Sequence, residues 1–254
     1  MQSNGNAQTS APVLIDVEKV YKSFGDLHVL RGVSLQVQQG SSDVILGRSG
    51  IGKSVLLKSI VGLLTPESGR IQVKGTDVVG KSIAELNSIR KNIGYVFQYA
   101  ALYDSLSVRE NLEFPLRKHT KLEQDEIDER VREQLRLVGL EDAIDKMPSE
   151  LSGGMKKRVG LARAIITKPE IVLYDEPTAG LDPMTAREIS DLILSLEEHF
   201  GITSITVTHD LECAKTIADT IYILNDGSFQ HQGSFDELKQ KDDPLTRAFF
   251  QAVV

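Results

Sequence analysis

The 254-residue chain has an apolar content of 41% and a formal net charge of −7. That balance fits a globular protein with a sizeable core and excludes a disordered chain and a cationic nucleic-acid surface. The single cysteine, Cys213, excludes an intrachain disulfide, suits a reducing compartment and reads as a small buried hydrophobe.

Residues 1–12 are small and polar, lack the basic start and apolar run of a signal peptide, and are expected to be a flexible terminus. No apolar run reaches the roughly 18 residues of a membrane helix, so a soluble protein is expected, tethered by a partner if it acts at a membrane. Val13 to Val20 and then "HVLRGVSLQV" read as alternating strands. "SDVILG" is a short buried strand, followed by "RSGIGKS" and a helical run, Val55 to Leu64. "TPESGRIQVKGTDV" is turn, strand, turn, strand. From about Leu102 to Gly139 the chain reads as mostly helical, with Ile127, Val131, Leu135 and Val138 on one face and Glu126–Arg130 and Asp128–Arg132 as i,i+4 pairs on the other. After Ser152, helix and strand alternate through "GGMKKRVGLARAII", "EIVLYDE", "MTAREISDLILSLEEHF", "TSITVTHD" and "LECAKTIA", and "TIYILNDGSFQHQG" is a hairpin turning at Asp226-Gly227. Alternation of this kind predicts an α/β core with a parallel sheet covered on both faces and a helical lobe inserted near the chain's centre.

"GRSGIGKS", Gly47 to Ser54, matches the phosphate-loop pattern G-x-x-x-x-G-K-[ST] and sits between a predicted strand and a predicted helix. Gly47, Gly50 and Gly52 let the backbone approach phosphate closely, and the N–H groups of Arg48, Ser49 and Ile51 belong to the same anion cradle. Lys53 is expected to reach the β- and γ-phosphates of ATP, and the Ser54 hydroxyl to ligate Mg²⁺. "IVLYDE" delivers two carboxylates at a strand's C-terminal end, where open α/β sheets place ligands. Asp175 is expected to hold Mg²⁺ and Glu176 to polarise the attacking water. His209, at the end of "TSITVTHD", reads either as a structural residue or as a γ-phosphate contact. Gln98, after "IGYVF", reads either way too, its functional role being to ligate metal and position water.

These residues resemble the ATPase subunits of ABC transporters from about Val13 to Leu238. "LSGGM", Leu151 to Met155, is similar to the ABC signature. "AGLD", ending at Asp182, resembles the D-loop, and His209 the switch histidine. Tyr21 falls where the adenine-stacking aromatic is expected. Met155 stands in place of the common Gln, Val55 in place of Thr, and Arg48 in place of Pro; the loop glycines and lysine are intact. The resemblance implies a P-loop NTPase (RecA-like) core with an N-terminal antiparallel β region and an inserted α-helical subdomain. The expected division is 13–98 for the first core part with the β region, 99–160 for the helical subdomain, 161–238 for the second core part and 239–254 for a C-terminal helix or tail. It implies ATP and Mg²⁺ as cofactors and a head-to-tail pair of chains. In that pair Ser152, Gly153 and Gly154 of one copy contact the nucleotide held by the other, and Asp182 ties the two sites together.

A narrower likeness, in "FQYAALYDSLSVRENLEFPLRKHT" and "LSGGMKKRVGLARAI", is to the ATPases of Mla-type lipid transporters. It implies phospholipid movement across an envelope, on the cytoplasmic side of the inner membrane, with an MlaE-like permease dimer, an MCE-domain protein and a small STAS-type subunit, and no nucleic acid. An importer ATPase for another small substrate shares the same motor residues. A soluble non-transport member is disfavoured by the single ATPase core and the lack of long coiled coils. Tyr99 to Val108 reads either as a surface for the membrane partner or as packing inside the lobe.

Overall fold

In the computed structural model the described residues are 11–250. Residues 1–10 of the expected flexible terminus and 251–254 of the expected C-terminal piece lie outside them.

Two long strands, β1 (Val13–Phe24) and β2 (Leu27–Gln38), pair antiparallel at the start of the chain. A short strand, β3 (Ser42–Leu46), leads through the glycine loop into α1 (Lys53–Ile60). The helix stops four residues short of the apolar run that predicts it. Gly62 adopts φ +66° and the Leu63 N–H closes back on the Lys58 carbonyl at 2.8 Å, a glycine stop that outweighs the apolar pattern. β4 (Ser68–Val73) and β5 (Thr76–Asp77) then complete a four-stranded antiparallel sheet ordered β2-β1-β4-β5.

After α2 (Ile83–Arg90), β6 (Ile93–Val96) enters the central sheet and the chain turns helical with α3 (Val108–His119) and α4 (Gln124–Leu137). Ile127, Val131, Leu135 and Val138 are buried, as their spacing requires. The expected charge pairs do not form among the described residues. Glu126 instead accepts the Glu123 N–H at 3.0 Å in a capping box, and Asp128 meets Arg109 of α3 at 3.4 Å, because a helix end and a neighbouring helix offer these carboxylates better donors than their own exposed face does. Within this mostly helical region the stretch from Leu102 to Ser107 is loop.

The rest alternates: α5 (Gly153–Ile165), β7 (Ile171–Asp175), α6 (Pro183–Phe200), β8 (Thr203–Thr208), α7 (Leu211–Ile217), the hairpin β9 (Thr220–Asn225) and β10 (Ser228–Gly233), and two short helices, α8 (Phe235–Gln240) and α9 (Pro244–Phe250). The central sheet runs β10-β9-β3-β8-β7-β6, parallel except for the β10 edge. It is covered on both faces. Val44, Leu46, Val172 and Tyr174 point into one core with the helices from α3 onward, while Ile45, Ile171, Leu173 and Val207 point into a second core with α1 and the antiparallel sheet. This is the α/β architecture with a two-sided parallel sheet that the alternation predicts. It leaves the C-terminal ends of β3, β7 and β8 side by side at one edge, where the candidate residues collect.

Candidate active site

Leu46 ends β3 and Lys53 begins α1, so residues 47–52 wrap the first turn of that helix. Gly52, at φ +112°, is the position where glycine is indispensable: a Cβ there would lie 2.5 Å from the Val29 side chain. No side chain caps α1, so its first N–H groups and its dipole face the loop as a ready anion site. The Lys53 ammonium is buried and donates to the Gly47 and Arg48 carbonyls at 2.6 and 3.0 Å. It therefore braces the loop it serves.

β7 delivers the acidic pair from a strand buried along its whole length. Asp175 accepts the Ser54 hydroxyl at 2.5 Å on one oxygen and the Tyr95 hydroxyl at 3.2 Å on the other. Burial first, and then the Asp175 charge, push the Tyr95 phenol above its ordinary range, so it stays a neutral donor. Glu176 is held in the left-handed region at φ +50°, strain of the kind found where a side chain must be aimed. One of its oxygens pairs with Lys53 Nζ at 2.9 Å and the other with His209 Nδ1 at 2.8 Å. Gln98, Lys53, Ser54, Glu176 and His209 thus share one cleft of about 310 Å³ with Ser49, Gly50 and Gly52. Sequence reading leaves His209 and Gln98 open; the structure sets His209 on Glu176 and lines the same cleft with Gln98.

Three features escape sequence reading. Phe24, half exposed, walls this cleft together with Val29. Tyr21 does not. It lies against Gly32, where a Cβ would be 2.8 Å from the Tyr21 hydroxyl. Three residues apart on β1, Tyr21 and Phe24 face opposite sides of the strand, and Phe24 is the one on the side of the loop. Lys157 of α5 is buried and donates to the backbone carbonyls of Gln98 at 2.6 Å and Glu176 at 3.1 Å. Burial pulls its ammonium down to about 8 against the attraction of Glu176 and Asp175. The available signal is positional: Lys157 shares a helical stripe with buried Leu161 and Ile165, an unusual place for a lysine. Tyr95, the third, carries no signal beyond strand alternation.

The remaining candidates lie apart from this cleft. Ser152 caps α5 through the Met155 N–H at 3.2 Å, and Ser152 and Gly153 are exposed. Gly154 is a packing glycine as well, since a Cβ there would meet Thr185 of α6 at 2.7 Å. Asp182 caps α6, accepting the Met184 and Thr185 N–H groups at 3.1 Å and the Thr185 hydroxyl at 2.6 Å. The glycine-rich turn opening α5 is thus a second helix start turned to solvent, away from the chain's own phosphate loop.

The donors fit a magnesium nucleotide. Ser54, Asp175 and Gln98 offer only oxygen ligands, the type Mg²⁺ prefers. Among the described residues no group of three or more His, Cys, Asp or Glu side chains forms a metal cluster.

The family model described as ABC transporter matches residues 30–179. The chain is 42% identical over 245 residues to "Probable ribonucleotide transport ATP-binding protein mkl" of Mycobacterium leprae, covering 96% of this chain and 71% of that protein. It spans 66% of the length of the Mycobacterium tuberculosis protein of the same name. It is 42% identical to "Intermembrane phospholipid transport system ATP-binding protein MlaF" of Haemophilus influenzae, covering 91% of this chain and 87% of that one. Its identity to the Escherichia coli protein of that name is 37%, covering 97% and 91%. A solved dimer of the ATP-binding cassette MJ0796 in a post-hydrolysis state, bound to ADP and Pi, superposes with a TM-score of 0.80 at 33% identity, covering 87% of this chain and 98% of that one.

Proposed function

The chain belongs to the ABC transporter family, and from that membership we propose that it is the motor subunit of a transporter moving phospholipid between the two membranes of a bacterial envelope. As a family member it binds and hydrolyses ATP. The observation that carries the reading is the cluster of Lys53, Glu176 and His209 beside Ser54 and Asp175, with the Ser152–Gly154 turn exposed elsewhere. One chain supplies a phosphate cradle, a base and a separate anion-binding turn, so two copies related head to tail complete two sites.

In this cycle the loop N–H groups and Lys53 bind the triphosphate, and Phe24 offers the face for its base. Ser54, Asp175 and Gln98 would hold Mg²⁺, which would supply positive charge against the charge on the phosphates. Lys53 already carries a counter-charge, the Glu176 carboxylate at 2.9 Å. Phosphate competes for the same ammonium and releases one Glu176 oxygen to accept a proton from water. His209, on the other oxygen, keeps the carboxylate aimed.

The transporter partners follow from the likeness to the two MlaF proteins: a permease dimer of the MlaE kind, an MCE-domain protein and a STAS-type regulator, with the ATPase held peripherally at the cytoplasmic face of the inner membrane. Among the described residues no helix is long and apolar enough to cross a membrane. Residues 99–160 would form the lobe that meets the permease. Tyr99 is 86% exposed, and Tyr103 and Phe114 stand half out of water beside a cleft of about 370 Å³ floored by Phe97, an apolar patch that fits a partner segment. Ala100 and Val108, by contrast, are buried within the fold. The likeness to mkl, a probable ribonucleotide transport protein by its name, supports a second reading, an ATPase for transport of another small substrate. Purification in mild detergent from the native membrane separates the two: an MCE-domain protein and phospholipid copurify under the first reading, and a complex without either defeats it.

A further inference from the structure

α5 joins two places that this cycle must coordinate. Its first turn opens on Ser152 and Gly153, exposed to solvent. One turn later Lys157 lies inside the protein, its ammonium between the carbonyls of Gln98 and Glu176. Gly153 and Lys157 are four residues apart, hence on one helix face. Six residues on, Arg163 of the same helix donates to the Ala100 and Ala101 carbonyls, each at 2.9 Å. Ala100 and Ala101 have φ +60° and +47°, a conformation non-glycine residues keep only when their surroundings impose it. α5 therefore grips the segment after Gln98 by three carbonyls, and by the same lysine it holds the backbone of the strained residue, Glu176. A merely space-filling side chain at position 157 would be apolar, because burying an ammonium costs free energy that only its hydrogen bonds offset.

We propose that Lys157 is a positioning residue for ATP hydrolysis, tying the seating of a chain's own Ser152–Gly154 turn to the placement of Gln98 and Glu176 in that same chain. The proposal rests on the ATPase reading above. Its consequence is communication in a pair of chains: engagement of one copy's turn by the nucleotide on its partner is felt, through one rigid helix and one side chain, at the first copy's own hydrolytic centre.

The test uses the full-length chain with fluorescent ATP binding, thermal melting and steady-state turnover. Lys157→Met is expected to bind nucleotide within about twofold of the parent, with kcat lower by about a hundredfold and KM little changed, the signature of a reacting geometry displaced by a fraction of an ångström to an ångström. Lys157→Gln, shorter but still a donor, loses about tenfold, and it carries the test if the methionine variant does not fold. Combining Lys157→Met with Gly153→Ala should cost no more than the larger single loss, as expected for two points on one lever. Parent-like kcat in a folded Lys157 variant, a loss that tracks lost nucleotide binding, or losses that simply multiply would each overturn the proposal. An unmodified chain that fails to turn over ATP would instead defeat the ATPase reading, and the parent control shows this before any variant is compared.

Discussion

Glu176 has two partners and a strained backbone, so its replacement separates binding from chemistry. Glu176→Gln keeps the shape and a hydrogen bond to His209 but cannot take a proton. Nucleotide binding should persist while turnover falls by about 10²–10⁴-fold, measured as phosphate release; release at the parent rate would remove Glu176 as the base. Lys53→Ala should act earlier and abolish binding, because both the loop's brace and its charge disappear. The aromatic assignment divides as cleanly. Phe24→Ala should weaken ATP binding by about tenfold through lost stacking, while Tyr21→Ala leaves it within about twofold, since Tyr21 packs on Gly32 instead. The opposite order in a titration with labelled nucleotide would restore Tyr21.

At the level of elements, the site was legible wherever a motif sits at a strand or helix end. "GRSGIGKS" and "IVLYDE" name their residues because backbone geometry at β3–α1 and at the end of β7 follows from local sequence. Lys157 was not legible because it owes its place to packing between distant segments, and Phe24 because strand alternation alone does not say which face of β1 meets the loop. The charge pairs expected on α4 fail because a local capping box takes Glu126 and the neighbouring α3 takes Asp128, competitors that periodicity does not see. The base of β3 hides a further group. Ser42 donates to Glu197 at 2.5 Å, and the other Glu197 oxygen has no hydrogen-bond partner. Burial pushes Glu197 up to about 7, and burial together with the Asp219 charge does the same to Asp43. Both folded values lie above the ordinary 4.5 and 3.8, so the folded chain binds more protons across that interval. The stability these groups contribute is lost as pH rises towards 7 and stays lost above it. Melting should therefore drop by several degrees between about pH 5 and about pH 7. Glu197→Gln should melt above the parent at the higher pH and level with it at the lower. A variant that follows the parent's pH dependence would show that Glu197 ionises normally.

Over the whole molecule, the account turns on two identical chains exchanging anion sites. Ser152 and Gly153 at the start of α5 are exposed, and neither lines the cleft of the chain's own phosphate loop. Under the proposed function, ATP would favour the closed pair by charge that both copies share, and hydrolysis would withdraw that charge. Gly153 is the place to probe this. A Cβ there meets only Leu181 at 3.6 Å, ordinary contact, whereas substitution of Gly154 would also strike Thr185. The most direct measurement is sedimentation of Glu176→Gln with magnesium ATP, with and without Gly153→Asp. The account predicts a dimer for Glu176→Gln and a monomer that still binds ATP for the double variant, because the added carboxylate repels the partner's phosphates. A double variant that dimerises with ATP as readily as Glu176→Gln would contradict it.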